Sequence, residues 1–153
     1  MRFLADVMLA RPGRWLRMFG YDTVIAKEPQ TDQELISLAK EQDRVILTRD
    51  KTLAAKTQGG KAVKTIYIKA RTPDKQLEEI VRGLKLKISF PENTRCSQCN
   101  GELEVTTREK VKELVPKKVK SDVFWQCKSC QKVYWKGSHW DRIENVIKKL
   151  GSR

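Results

Sequence analysis

All four cysteines of the chain fall after residue 95, as Cys96-x2-Cys99 and Cys127-x2-Cys130, and no other feature limits the fold as tightly. Two CxxC hooks bring four thiolates to one point only if each hook is a tight knuckle and the chain between them pairs as hairpin strands. Residues 103–107 and 123–126 are placed to supply those strands. The spacing predicts a tetrahedral structural zinc centre in a ribbon; a group of free thiols is the competing possibility. Four thiolates leave no open position on the metal, so catalysis has to be sought elsewhere. Charged residues interrupt the apolar N-terminal run, and no stretch approaches the roughly 18 to 20 apolar residues of a membrane span. A soluble, cytoplasmic protein is expected, where thiols stay reduced and bind metal rather than pair.

Before the cysteines, short apolar runs alternate with helical periodicity. Residues 3–5, 23–26, 45–48 and 63–68 read as strands. Trp15, Leu16 and Phe19, then Leu35, Ile36, Leu38 and Ala39, then Leu77, Ile80, Val81 and Leu84 read as buried faces of helices. Thr31 and Glu34 have the spacing of a capping box, and Thr72-Pro73 that of a cap followed by a first-turn proline. A short helix over 51–58 is expected to close at Gly59-Gly60, and the first helix to begin near Pro12, since Pro12-Gly13 interrupts its pattern. The alternation predicts a parallel sheet with right-handed crossovers, an α/β sandwich over 1–92. A zinc ribbon over 93–153 follows, with a C-terminal helix whose Ile143, Val146, Ile147 and Leu150 share one face.

Open parallel sheets bind ligands beyond the carboxyl ends of their strands. Asp6 follows the first strand, Asp50 the third, and Asp32 opens the helix between them. Carboxylates gathered around one cleft repel each other unless they hold a hard cation such as Mg²⁺ or Mn²⁺. Two of them also have a structural explanation, Asp32 as a helix-start acid and Asp50 as the N-cap of the next helix. For all three to form a site, the strand ends at Asp6 and Asp50 must be neighbours.

The 32 Lys and Arg against 19 Asp and Glu give a net charge of +13. Residues 1–92 hold 18 basic against 12 acidic side chains and residues 93–153 hold 14 against 7, so both parts are basic. Such an excess points to a polyanion partner. Candidate phosphate contacts are Arg11, Arg14 and Arg17, recurring every three residues, and Arg49 and Lys51, which flank Asp50. Lys117, Lys118 and Lys120 belong to a basic stretch, 110–120, expected to be mobile or to touch a ligand. His139, the one histidine, stands near Trp135 and Trp140, either to stack on a nucleic-acid base or as a packed helix-start residue.

Phe3-Leu4-Ala5-Asp6, Arg14-Trp15-Leu16-Arg17-Met18-Phe19-Gly20-Tyr21-Asp22-Thr23, Thr31-Asp32-Gln33-Glu34-Leu35 and Leu47-Thr48-Arg49-Asp50 occur in that order. After them come Arg95-Cys96, Cys99-Asn100, Cys127, Cys130 and Tyr134-Trp135-Lys136-Gly137-Ser138-His139-Trp140. Over nearly its whole length the chain thus resembles the Mut7-C family of PIN-like nucleases. The resemblance implies a PIN-type α/β domain with a metal-dependent ribonuclease site whose acids are Asp6, Asp32 and Asp50, followed by a family-typical zinc ribbon. Two departures bear on this. Pro12-Gly13 stand where the family usually has apolar helix formers, which should loosen the first helix. The fourth acid of many PIN nucleases has no evident counterpart, which favours a single Mg²⁺. RNA, with tRNA or rRNA as possible forms, is the implied partner. Two other readings stay open: a non-catalytic RNA-binding module with a degenerate cleft, and a DNA-binding zinc-ribbon regulator.

Overall fold

The computed structural model describes residues 1–28, 30–59 and 63–151. Strands β1 (Phe3–Ala5), β2 (Thr23–Ile25), β3 (Val45–Thr48) and β4 (Thr65–Tyr67) form a parallel sheet in the order β2-β1-β3-β4. The expected 23–26 and 63–68 strands are each shorter at their ends than the apolar runs that mark them. β1 pairs with both neighbours, Phe3 opposite Thr23 and opposite Val45. Its three residues are fully buried because helices cover both faces of the sheet, which is why it reads as a continuous apolar run.

The pleat divides those residues between two cores. Phe3, Ala5 and Leu47 point to the face packed by α1 (Ala10–Met18) and α4 (Pro73–Gly83), with Leu16, Leu77 and Ile80. Leu4 and Ile46 point to the other face, covered by α2 (Asp32–Glu41) and α3 (Lys51–Thr57) through Leu35, Ala39 and Leu53. Truncating a fully buried leucine such as Leu47 to alanine costs about 2–5 kcal/mol.

Helix α1 is regular, so the expected loosening at Pro12-Gly13 does not occur. A 3₁₀ turn, Val7–Leu9, leads into it, and Pro12 sits in the first α-helical turn, where a missing N–H costs nothing. Gly13 serves packing: a Cβ there would lie 3.0 Å from Ile25 Cγ1 and 3.3 Å from Ala5 Cβ. Its absence lets α1 approach the sheet closely. At α2 the capping box is complete, Thr31 Oγ1 accepting from Glu34 N and Glu34 Oε2 accepting from Thr31 N at 2.6 Å. Pro73 opens α4 at its first turn. α3 ends at Thr57, just before the expected stop; Gly60 lies outside the described residues.

The second sheet is antiparallel, β5 (Leu103–Thr106), β6 (Phe124–Cys127) and β7 (Val133–Trp135), in that order. Its strands carry the second cysteine hook in register, Leu103 standing opposite Cys127. The 110–120 stretch is more ordered than its charge suggested. Short helix α5 (Arg108–Val111) starts it, and Val111 and Val115 are buried against Phe124 and Val133. The alternating apolar residues thus make a small ribbon core. Helix α6 (Ser138–Gly151) runs back onto the first layer, and Val146, Ile147 and Leu150 pack against the core that holds Phe3 and Ile80. No helix of the described residues is long and apolar enough to cross a membrane.

Hydrogen bonds fix the ribbon to the edge of the parallel sheet where the strands begin. Arg17 is buried; its Nε donates to Thr23 O at 2.8 Å and its Nη1 to Ser97 O and Gln98 O at 2.9 and 3.0 Å. Asn100 donates to Asp22 Oδ1 at 2.7 Å and accepts from Thr23 N at 3.0 Å. Asp22 also takes Arg44, Nη1 to Oδ1 at 2.8 Å and Nη2 to Oδ2 at 3.2 Å. Arg17 therefore cannot belong to a phosphate-facing stripe. Helical spacing turned it toward the sheet, where three carbonyls satisfy its guanidinium.

Candidate active site and zinc centre

The opposite edge, where the strands end, carries the acids. β1 is followed by α1 on one face, while its neighbour β3 is followed by α3 on the other. Adjacent strands whose connections leave in opposite directions open a crevice at their carboxyl ends, the position at which open α/β sheets bind ligands. Asp6 leaves β1 and Asp50 lies just past β3 at this point. Asp32 is the first residue of α2, reached from the carboxyl end of β2.

Asp6 is the buried member, 7% exposed. Its Oδ2 accepts from the hydroxyl of Thr48, the last residue of β3, and from Arg49 N at 3.0 Å. Its Oδ1 is buried and finds no hydrogen-bond partner among the described residues. An unsatisfied buried carboxylate oxygen costs about 1–3 kcal/mol or more, so its presence at a ligand-binding edge calls for a donor or cation from outside the chain. The Arg49 side chain shares this condition through its buried Nε.

The other two acids are engaged within the fold. Asp50 caps α3, Oδ1 accepting from Thr52 N at 2.7 Å and Leu53 N at 3.3 Å. Its own N–H donates to Thr48 Oγ1 at 2.9 Å, so Thr48 links the two aspartates. Asp32 Oδ2 takes Lys56 Nζ of α3 at 2.6 Å, an ion pair on a half-exposed surface. The three acids share one edge without forming a closed cage. Among the described residues, it is the four cysteines whose ligand atoms all come within 4.8 Å of one another, and the aspartates do not.

Thr48 was not singled out by sequence. A hydroxyl ending a buried strand two residues before an acid is the signal that marks it. Of the basic candidates, Arg11, Arg14, Lys51, Lys117, Lys118 and Lys120 are exposed, as is His139 at the start of α6.

The cysteines converge as the spacing predicts. Cys96 Sγ lies 3.6 Å from Cys130 Sγ, and Cys99 Sγ lies 3.4 Å from Cys127 Sγ. A tetrahedral centre with Zn–S bonds of about 2.3 Å has S···S edges of roughly 3.8 Å, so the set fits zinc closely. Burial pushes the Cys96 thiol up, but the Tyr134 hydroxyl at 3.1 Å and backbone amides outweigh it and bring the pKa down to about 6. Gly101 makes the knuckle possible, because a Cβ would stand 2.8 Å from Cys127 Sγ and 2.6 Å from Ser129 Oγ.

Comparison with known proteins places the chain by family. Among curated proteins there is no significant match. The Mut7-C RNAse domain, however, matches residues 1–147, a span that holds the acidic edge, the four cysteines and most of α6. By this match over residues 1–147, the chain belongs to the Mut7-C RNAse domain family.

Proposed function

We propose that the protein is a metal-dependent ribonuclease that cleaves RNA phosphodiesters at the edge marked by Asp6, with residues 1–92 as its catalytic unit and residues 93–153 aiding RNA binding. The observation that carries this reading is Asp6 Oδ1, buried and without a partner among the described residues at the crevice between β1 and β3. Asp6, Asp50 and Asp32 would hold Mg²⁺ or Mn²⁺, Asp32 after exchanging its ion pair with Lys56. Such an ion supplies Lewis-acid stabilisation of the phosphoryl oxygens and a water acidic enough to attack at neutral pH.

The chain's own residues prepare the edge. Thr48 and Arg49 N fix one Asp6 oxygen, which leaves the other without a partner among the described residues. The Asp50 cap ties α3 to the same point, and Arg49 and Lys51 on either side of it supply positive charge for the phosphate. Arg11, Arg14, Lys117, Lys118 and Lys120 hold the RNA backbone without reading sequence, since phosphate contacts position and base contacts specify.

Replacing Asp6 with asparagine keeps the size and one acceptor while removing the charge. The Asp6→Asn protein should keep its thermal midpoint and lose at least about 100-fold in Mn²⁺-dependent cleavage of a generic RNA, as expected when several kcal/mol of transition-state stabilisation is withdrawn. Unchanged cleavage would overturn the assignment. A wild-type protein that binds RNA with steep salt dependence and cuts nothing would be the non-catalytic RNA-binding module instead.

A further inference from the structure

Far from the acids, an apolar cleft opens where the ribbon meets the α/β layer. Three of the chain's four tryptophans, Trp125, Trp135 and Trp140, line it together with Phe90, Arg95 and His139. Trp125 and Trp140 are stacked, with centroids 5.0 Å apart and planes 20° apart, and Phe90 leans on Trp140 at 4.6 Å. The Trp140 indole N–H donates to Glu144 at 2.8 Å, which locks the ring in place. Its volume is about 90 Å³ with an open mouth. An enclosed apolar cavity of roughly 150 Å³ holds benzene, so a planar ring is received here only in part, its remainder standing in the open mouth.

The charge around the rings narrows the choice of ring. Lys136 Nζ lies 5.9 Å from the Trp140 ring centroid, and Lys132 Nζ lies 5.5 Å from that of Tyr134, another residue of the cleft wall. With Arg95 these cations border an aromatic surface on a chain of net charge +13. Aromatic faces bordered by cations match an unpaired nucleobase between two phosphates: the rings stack the base and the lysines take the backbone.

We propose that this cleft is a nucleobase-stacking subsite for single-stranded RNA, set back from the cutting edge; this deepens the ribonuclease reading and rests on it. Its position follows from α1. Met18, the last residue of that nine-residue helix, lines the cleft, whereas Asp6 precedes its first turn. At 1.5 Å per residue the helix separates the two by about 12 Å. A stacked strand advances about 3.4 Å per nucleotide, so the held base lies at least about three nucleotides from the phosphate at Asp6.

The test compares a mixed-sequence RNA decamer with an abasic ribose-phosphate decamer of the same charge, without added Mg²⁺ or Mn²⁺. Wild-type protein should bind the base-containing decamer about tenfold more tightly or better, and only that decamer should quench the tryptophan fluorescence. Trp140→Ala should abolish the preference. Lys136→Ala, at an exposed position, should weaken both decamers alike and flatten the salt dependence. Equal binding of the two decamers by wild type, without quenching, overturns the subsite, and that comparison needs no variant to fold. The ribonuclease reading fails separately, through unchanged cleavage by Asp6→Asn.

Discussion

The two edges of the parallel sheet are built from similar residues to opposite ends. At the amino edge Asp22 meets Arg44, Asn100 and Arg2, and both of its oxygens are taken. At the carboxyl edge Asp6 is more deeply buried than Asp22, yet one oxygen is left without a partner among the described residues. A satisfied buried charge fixes structure; an unsatisfied one is a cost that a ligand can remove. The amino edge is where the ribbon attaches, and the carboxyl edge is where the proposed ribonuclease site lies.

The most severe way to break this contrast is to remove the zinc that the four cysteines would hold. Metal binding in small ribbons is worth on the order of 10 kcal/mol and is folding free energy. Chelation, or Cys96→Ser, should therefore unfold β5, β6 and β7. Because Arg17 and Asn100 tie the first knuckle to β2, amide exchange should also accelerate at Thr23. Unchanged exchange at Thr23 would show that the ribbon only rests on the sheet.

Next in size is Asp22→Ala, which leaves Arg44, whose side chain is 5% exposed, as an unpaired buried cation. The expected loss is about 3 kcal/mol, or a drop of roughly 6–12 °C in the melting temperature. Asp6→Asn at the other edge should move that temperature little. Equal losses for the two variants would erase the distinction between structural and functional edges.

Acid should act on the same pair. Burial pushes the Asp22 carboxyl up, but hydrogen bonds from Arg44 and Asn100 prevail and bring it from 3.8 to about 2. The folded state binds this proton more weakly than the unfolded state, so the contribution is complete above about pH 4 and lost as the pH falls through about 2. Partial exposure limits it to about 1–2 kcal/mol. Equilibrium unfolding from pH 5 to pH 2 should show this component in wild type and lack it in Asp22→Ala.

The smallest effect separates the cap role of Asp50 from its proposed metal-binding role. Asparagine caps a helix as well as aspartate, whereas alanine forfeits about 1 kcal/mol. Asp50→Asn should keep wild-type stability and lose cleavage, and Asp50→Ala should lose both. Full activity in Asp50→Asn would reduce Asp50 to a cap.

Much of this was legible in the sequence because it depends on local chemistry. The strand 45–48, the Thr31–Glu34 capping box and the proline at the start of α4 follow from side chains acting on their own backbone. Arg17 was not legible. Its spacing from Arg14 and Arg11 describes a helix face, but whether that face meets water depends on where a segment some eighty residues later docks. The 110–120 stretch misled in the opposite sense, since its valines gain a core only once Phe124 and Val133 are beside them.

By itself, then, the sequence determined the alternation of strands and helices, the four thiolates and the acids that follow the strands. Each of these is set by side-chain chemistry at short range. Tertiary structure alone decided that β1 lies between β2 and β3, so that Asp6 and Asp50 leave neighbouring strands. It also decided that Thr48 holds Asp6 on one oxygen and leaves the other without a partner among the described residues, and that Arg17 serves the ribbon rather than a phosphate. Strand order and docking depend on contacts between distant segments, and a charged side chain's role is fixed by which partners those contacts bring within reach.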